Sequence, residues 1–84
     1  MKQIPVIVYD VLSVAKSLDP RDHPNADSFF QHSFLASYTR EEIECALLFL
    51  TEKNFIDSEV GYLPNGDFFC LFIRILPDGY EALT

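Results

Sequence analysis

Residues 39–76 read TREEIECALLFLTEKNFIDSEVGYLPNGDFFCLFIRIL, and this stretch decides the fold. Thr39-Arg40-Glu41-Glu42 has the form of a capping box, in which the Thr39 hydroxyl accepts from the Glu42 N–H and the Glu42 side chain reaches back. Ile43, Ala46, Leu47 and Leu50 then recur at helical spacing, and the helix runs out at Lys53-Asn54, where Asn tolerates the left-handed cap conformation. Phe55 to Tyr62 reads as a strand, irregular because of Gly61 and the acids. Leu63-Pro64-Asn65-Gly66-Asp67 reads as a turn, since Asn-Gly is a strong hairpin signal. Phe68 to Leu76 reads as the returning strand, and Pro77 ends it.

Working outward, the chain before Thr39 predicts two more helices. Ile4, Ile7, Val8, Val11, Ala15 and Leu18 form one apolar stripe over Ile4–Leu18, with Pro5 in the first turn and Asp10, Ser13 and Ser17 opposite. Residues 19–27, DPRDHPNAD, have no apolar period and read as the least constrained loop. Ser28–Ala36 predicts a short second helix capped by Asp27 or Ser28, with Phe29, Phe30, Phe34 and Leu35 as packing residues. Asp78–Thr84 predicts a short closing helix. The expected fold class is α+β, in one domain over residues 1–84: 84 residues provide for one core and no more.

Three helices, a hairpin and a closing helix resemble the winged helix-turn-helix superfamily, in particular small bacterial and phage winged-helix proteins of unknown function. The resemblance is closest over Tyr38–Leu83. Thr39–Asn54 looks like the third, recognition-type helix. Phe55-Ile56-Asp57 is similar to the family's entry into the first wing strand, and Asn65-Gly66 stands where the wing tip would be. Leu76-Pro77-Asp78-Gly79-Tyr80-Glu81-Ala82-Leu83 looks like the junction into the final helix, with Pro77 where a capping Thr is usual. The resemblance implies a winged-helix fold. It leaves function open, because that fold hosts many.

Charge narrows the choice. The chain has 6 basic and 13 acidic residues, a formal net charge of −7. Between Tyr38 and Asp67 the basic residues are Arg40 and Lys53; the acidic ones are Glu41, Glu42, Glu44, Glu52, Asp57, Glu59 and Asp67. DNA affinity comes largely from neutralising phosphates, so an acidic third helix with an acidic wing disfavours duplex DNA. Lys2, Lys16, Arg21 and Arg74 are too scattered to make up for it. The expected partner surface is Arg40, Glu41, Glu44, Leu48, Thr51, Asp57, Glu59 and Asp67, facing a protein partner. Imitation of DNA is a variant of the same idea, a solvated face with no partner is the plain alternative, and a DNA-binding regulator is the runner-up.

The strand Phe68–Leu76 is apolar on both faces if it alternates regularly. Phe69, Leu71, Ile73 and Ile75 make one row. Phe68, Cys70, Phe72, Arg74 and Leu76 make the other, which Arg74 marks as outward. Phe68, Cys70, Phe72 and Arg74 are therefore expected to form a homodimer seam, unless the terminal segment or the first helix covers them.

Catalytic and metal signals are weak. His23 and His32 lie in no zinc-like spacing, Gly61, Gly66 and Gly79 form no phosphate loop, and no serine has a base placed beside it. Cys45 and Cys70, each in an apolar run, read as two buried thiols, with a disulfide or a Cys45 nucleophile as lesser readings. The expectation is a non-enzymatic interaction or regulatory module with no cofactor, no metal and no membrane contact. With no secretory signal and no apolar run near ~18 residues, a cytoplasmic location is expected.

Overall fold

The computed structural model describes residues 5–84. Ile4 and Lys2, named above for the first helix and the basic set, lie outside that range. The described residues form an α+β fold with a two-stranded antiparallel sheet after the helices: α1 (Val6–Ser17), α2 (Ala26–Phe30), α3 (Arg40–Glu52), β1 (Ile56–Tyr62), β2 (Phe68–Ile75) and α4 (Pro77–Ala82). Short 3-10 helices sit at Pro20–Asp22 and Ser33–Leu35.

The capping box at α3 forms as its residues dictate. The Glu42 N–H donates to Thr39 Oγ1 at 3.2 Å, and the Thr39 N–H donates to Glu42 Oε1 at 2.8 Å. Two N–H groups that the helix leaves without partners are thus satisfied. Asn54 takes φ 61°, the left-handed stop expected of it. Ile43, Ala46, Leu47 and Leu50 are buried against Val8, Val11, Leu12 and Ala15 of α1 in one core. Burying a Leu side chain of this kind contributes roughly 1.5–3 kcal/mol.

The second helix is shorter than its apolar spacing predicts. Ser28–Ala36 does not form one helix. α2 stops at Phe30, and His32 is extended at φ −74°, ψ 129°. The His32 Nδ1 accepts the Phe34 N–H at 3.2 Å, so this side chain starts a separate 3-10 turn. Phe29 and Leu35 are buried, but Phe34 is exposed. The cap is Asn25 rather than Asp27 or Ser28: Asn25 Oδ1 accepts from the Asp27 N–H at 3.0 Å.

The preceding loop is also more ordered than its composition suggests. Asp19 accepts both the Arg21 N–H at 2.9 Å and the guanidinium at 3.0 Å, which holds its carboxyl below the usual carboxylate range. Beyond it, Asn25 makes an isolated antiparallel bridge with Leu71, and the Phe72 N–H donates to the Pro24 carbonyl at 3.1 Å. At that point β2 is hydrogen-bonded on both sides.

The hairpin lies over the helices with one face inward. From β1, Ile56 is buried and Val60 packs against the core. From β2, Phe68, Cys70, Phe72 and Ile75 are buried. Phe72 meets Phe29 edge to face, centroids 5.9 Å apart. At the far end α4 begins with Pro77 in its first turn. The Leu76 N–H donates to the Phe55 carbonyl at 3.0 Å. Gly79 is buried there because the Phe55 carbonyl and Ile75 Cγ1 occupy the space a Cβ would need.

Candidate interaction surface

The exposed side of α3 differs from the one helical spacing predicts. Of Glu41, Glu44, Leu48 and Thr51, only Glu41 is fully exposed. The other three are half-buried: Leu48 packs against the core, and β1 runs against α3 with side chains that bond to Glu44 and Thr51. Tyr62 Oη donates to Glu44 Oε1 at 3.0 Å, which raises the phenol above its ordinary range. The Thr51 and Ser58 hydroxyls lie 2.6 Å apart, and Thr51 Oγ1 also donates to the Leu47 carbonyl at 2.8 Å. These contacts fasten the hairpin to α3, so Glu44, Leu48 and Thr51 are not an open reading face.

The cations of this region lie beside groups of their own chain. Arg40 Nε lies 3.4 Å from Glu44 Oε2, and its guanidinium sits 4.5 Å from the centroid of the Phe30 ring. The Lys53 ammonium lies 5.9 Å from the Phe49 ring centroid. Arg74 Nε is 3.9 Å from Asp57 Oδ2 across the strands. Glu41, Glu52 and Glu59 are exposed and have no ion-pair partner among the described residues. Asp67 is exposed at the hairpin tip, where Asn65 Nδ2 donates to its carboxylate at 3.0 Å.

The expected homodimer seam needs correction. Phe68, Cys70 and Phe72 are 7%, 2% and 4% exposed and face the helices, while Arg74 faces out. Regular alternation fails between them. Ser58 pairs with Phe72 and Asp57 with Arg74, so β2 carries one extra residue, Ile73. A bulge of this kind places two consecutive side chains outward and shifts the phase of everything beyond it. Arg74 was therefore a false guide to the faces of Phe68–Phe72. The outward residues of β2 are Phe69, Leu71, Ile73 and Arg74, with Leu71 53% and Ile73 48% exposed. The β1 alternation carried part of the missing signal. Asp57 and Glu59 mark its outer face, but a two-residue Asn-Gly loop would set Glu59 opposite Phe72, and only the three-residue loop closed by the Leu63 N–H to the Asp67 carbonyl sets it opposite Leu71.

The cysteines part company. Cys70 is buried, and burial pushes its thiol up to about 11, offset in part by the nearby Ser58 hydroxyl. Cys45 is exposed, against the expectation of two buried thiols, and both are free. Cys45 lines a groove of about 500 Å3 between α1 and α3 with Ile7, Val8, Ala46, Phe49 and Glu41. His32 is committed to its backbone cap, and His23 stands exposed in a left-handed turn at φ 52°. Among the described residues no three His, Cys, Asp or Glu side chains gather as a metal site would need. No helix among them is long and apolar enough to cross a membrane.

No protein-family model, no curated protein and no solved structure matches this chain.

Proposed function

We propose that this chain is a non-enzymatic module of winged-helix type that binds a protein partner through the acidic surface of α3 and the hairpin. The winged-helix reading is supported by the element order and by the Asn25–Leu71 bridge. That bridge puts a vestige of a third strand between α1 and α2, on the free side of β2. The binding reading rests on one observation: among the described residues Glu41, Glu52 and Glu59 stand open without ion pairs, while Arg40 and Arg74 pair with Glu44 and Asp57 and Lys53 lies beside the Phe49 ring. A surface so arranged attracts cationic groups and repels a polyanion. Self-association through Phe68, Cys70 and Phe72 has no place in this reading, since those side chains belong to the core.

The runner-up, a DNA-binding regulator, draws on the element order and the hairpin tip alone. Fluorescence anisotropy with a duplex oligonucleotide, titrated at low and at physiological salt, separates the two. The proposed module gives no saturable binding at either. Affinity capture with the native chain and with an E41K/E52K/E59K variant completes the test: a partner is retained by the first and lost by the second. Tight duplex binding that weakens steeply with salt would overturn the reading in favour of the runner-up.

A further inference from the structure

The outer face of the hairpin is apolar along one strand and acidic along the other. β2 presents Phe69, Leu71 and Ile73. On β1, Gly61 lies opposite Phe69, Glu59 opposite Leu71 and Asp57 opposite Arg74. Phe69 leans over Gly61, where an added Cβ would touch the ring at 3.4 Å. Arg74 leans toward Asp57, and Glu59 is left beside the apolar row with no cation paired to it among the described residues. We infer that this face docks a basic amphipathic segment of a partner protein, whose apolar ridge covers Phe69, Leu71 and Ile73 and whose Lys or Arg meets Glu59. The inference rests on the reading of the chain as an acidic protein-binding module, and it names the partner's chemistry.

A second copy of the chain fits this face less well. Two hairpins can pack face to face about a two-fold axis crossing the strands at Leu71. That places Leu71 on Leu71 and, because Glu59 is the cross-strand neighbour of Leu71, Glu59 on Glu59. An axis running along β2 stacks Arg74 on Arg74. A two-fold axis oblique to the strands would set Arg74 of one copy on Glu59 of the other, but every such pairing joins chains of formal net charge −7. Like charges directly opposed are unfavourable, and a cationic segment removes that opposition.

The test is an NMR titration of the full chain with a synthetic amphipathic helix of Leu and Lys, against a Leu/Glu helix and a Leu/Lys sequence scrambled to abolish its apolar face. The expected result is perturbation of residues 57–61 and 69–74 by the first peptide alone. L71S, I73S and E59K should each weaken binding about tenfold or more, with the native spectrum otherwise kept, since all three sites are exposed. If an apolar variant fails to fold, E59K carries the test. Perturbation confined to Glu41 and Glu52 on α3 would overturn this inference and leave the acidic-module reading standing. So would concentration-dependent dimerisation that L71S abolishes. Absence of peptide binding refutes the inference, and together with saturable duplex binding it removes both readings.

Discussion

Phe72 and Arg74 stand two positions apart on one strand and face opposite sides of the hairpin. The extra residue between them, Ile73, turns outward with Arg74, so Phe72 packs on Phe29 while Arg74 reaches Asp57 in solvent. Phe72→Ala should therefore cost about 3–5 kcal/mol of unfolding free energy, as for a large-to-small change in a core. Ile73→Ser should cost less than about 1 kcal/mol. Urea unfolding of both variants checks this, and comparable losses would place Ile73 in the core as well.

The α3 capping box predicts a smaller, local effect. Thr39→Ala removes the acceptor of the Glu42 N–H and should lower stability by about 1 kcal/mol, within a range of roughly 0.5–2. Thr39→Ser should retain most of it. Thermal melts of the two variants side by side give the comparison.

Gly79 is fixed by close approach rather than by its dihedral angles. A methyl group there meets the Phe55 carbonyl, which cannot yield because it accepts the Leu76 N–H. Gly79→Ala should destabilise by about 1–3 kcal/mol, despite the better helix propensity of Ala. A variant as stable as the native chain would show that α4 is free to shift.

The two thiols should separate by reactivity. In the folded chain Cys45 should react readily with a disulfide reagent. Cys70 should react only after unfolding, since its thiol is buried and pushed up to about 11. A colorimetric thiol count before and after denaturant reads this directly, one thiol and then two.

The same burial makes stability fall in alkali. The Cys70 pKa is raised in the folded state, so the unfolded chain loses that proton first as pH rises. Stabilisation from the neutral thiol is intact below the ordinary thiol pKa and is lost as pH climbs toward about 11. Tyr62, raised mainly by its hydrogen bond to Glu44, adds a loss of the same sign. Unfolding curves of native and C70A chains across this range should converge as pH rises.

Most of what depends on neighbours along the chain is legible in the sequence. The Thr39 capping box, the apolar stripes of α1 and α3, the Asn54 stop, the Asn65-Gly66 turn and both strands rest on spacings of a few residues, where local hydrogen bonding and periodicity decide the conformation. The excess of carboxylates was equally legible, since charge needs no fold to be counted. Tertiary structure decided what faces what. β1 bonds to Glu44 and Thr51, and Leu48 packs against the core that strand and helix share. The break at His32 is local, a side chain competing with the helix for the Phe34 N–H two residues on, but the apolar spacing of Phe29 to Leu35 masks it. Above all, one bulged residue reverses the hairpin's inner and outer rows: period-two alternation has no memory of phase once a residue is inserted, and only the pairing with β1 and the packing against Phe29 restore it.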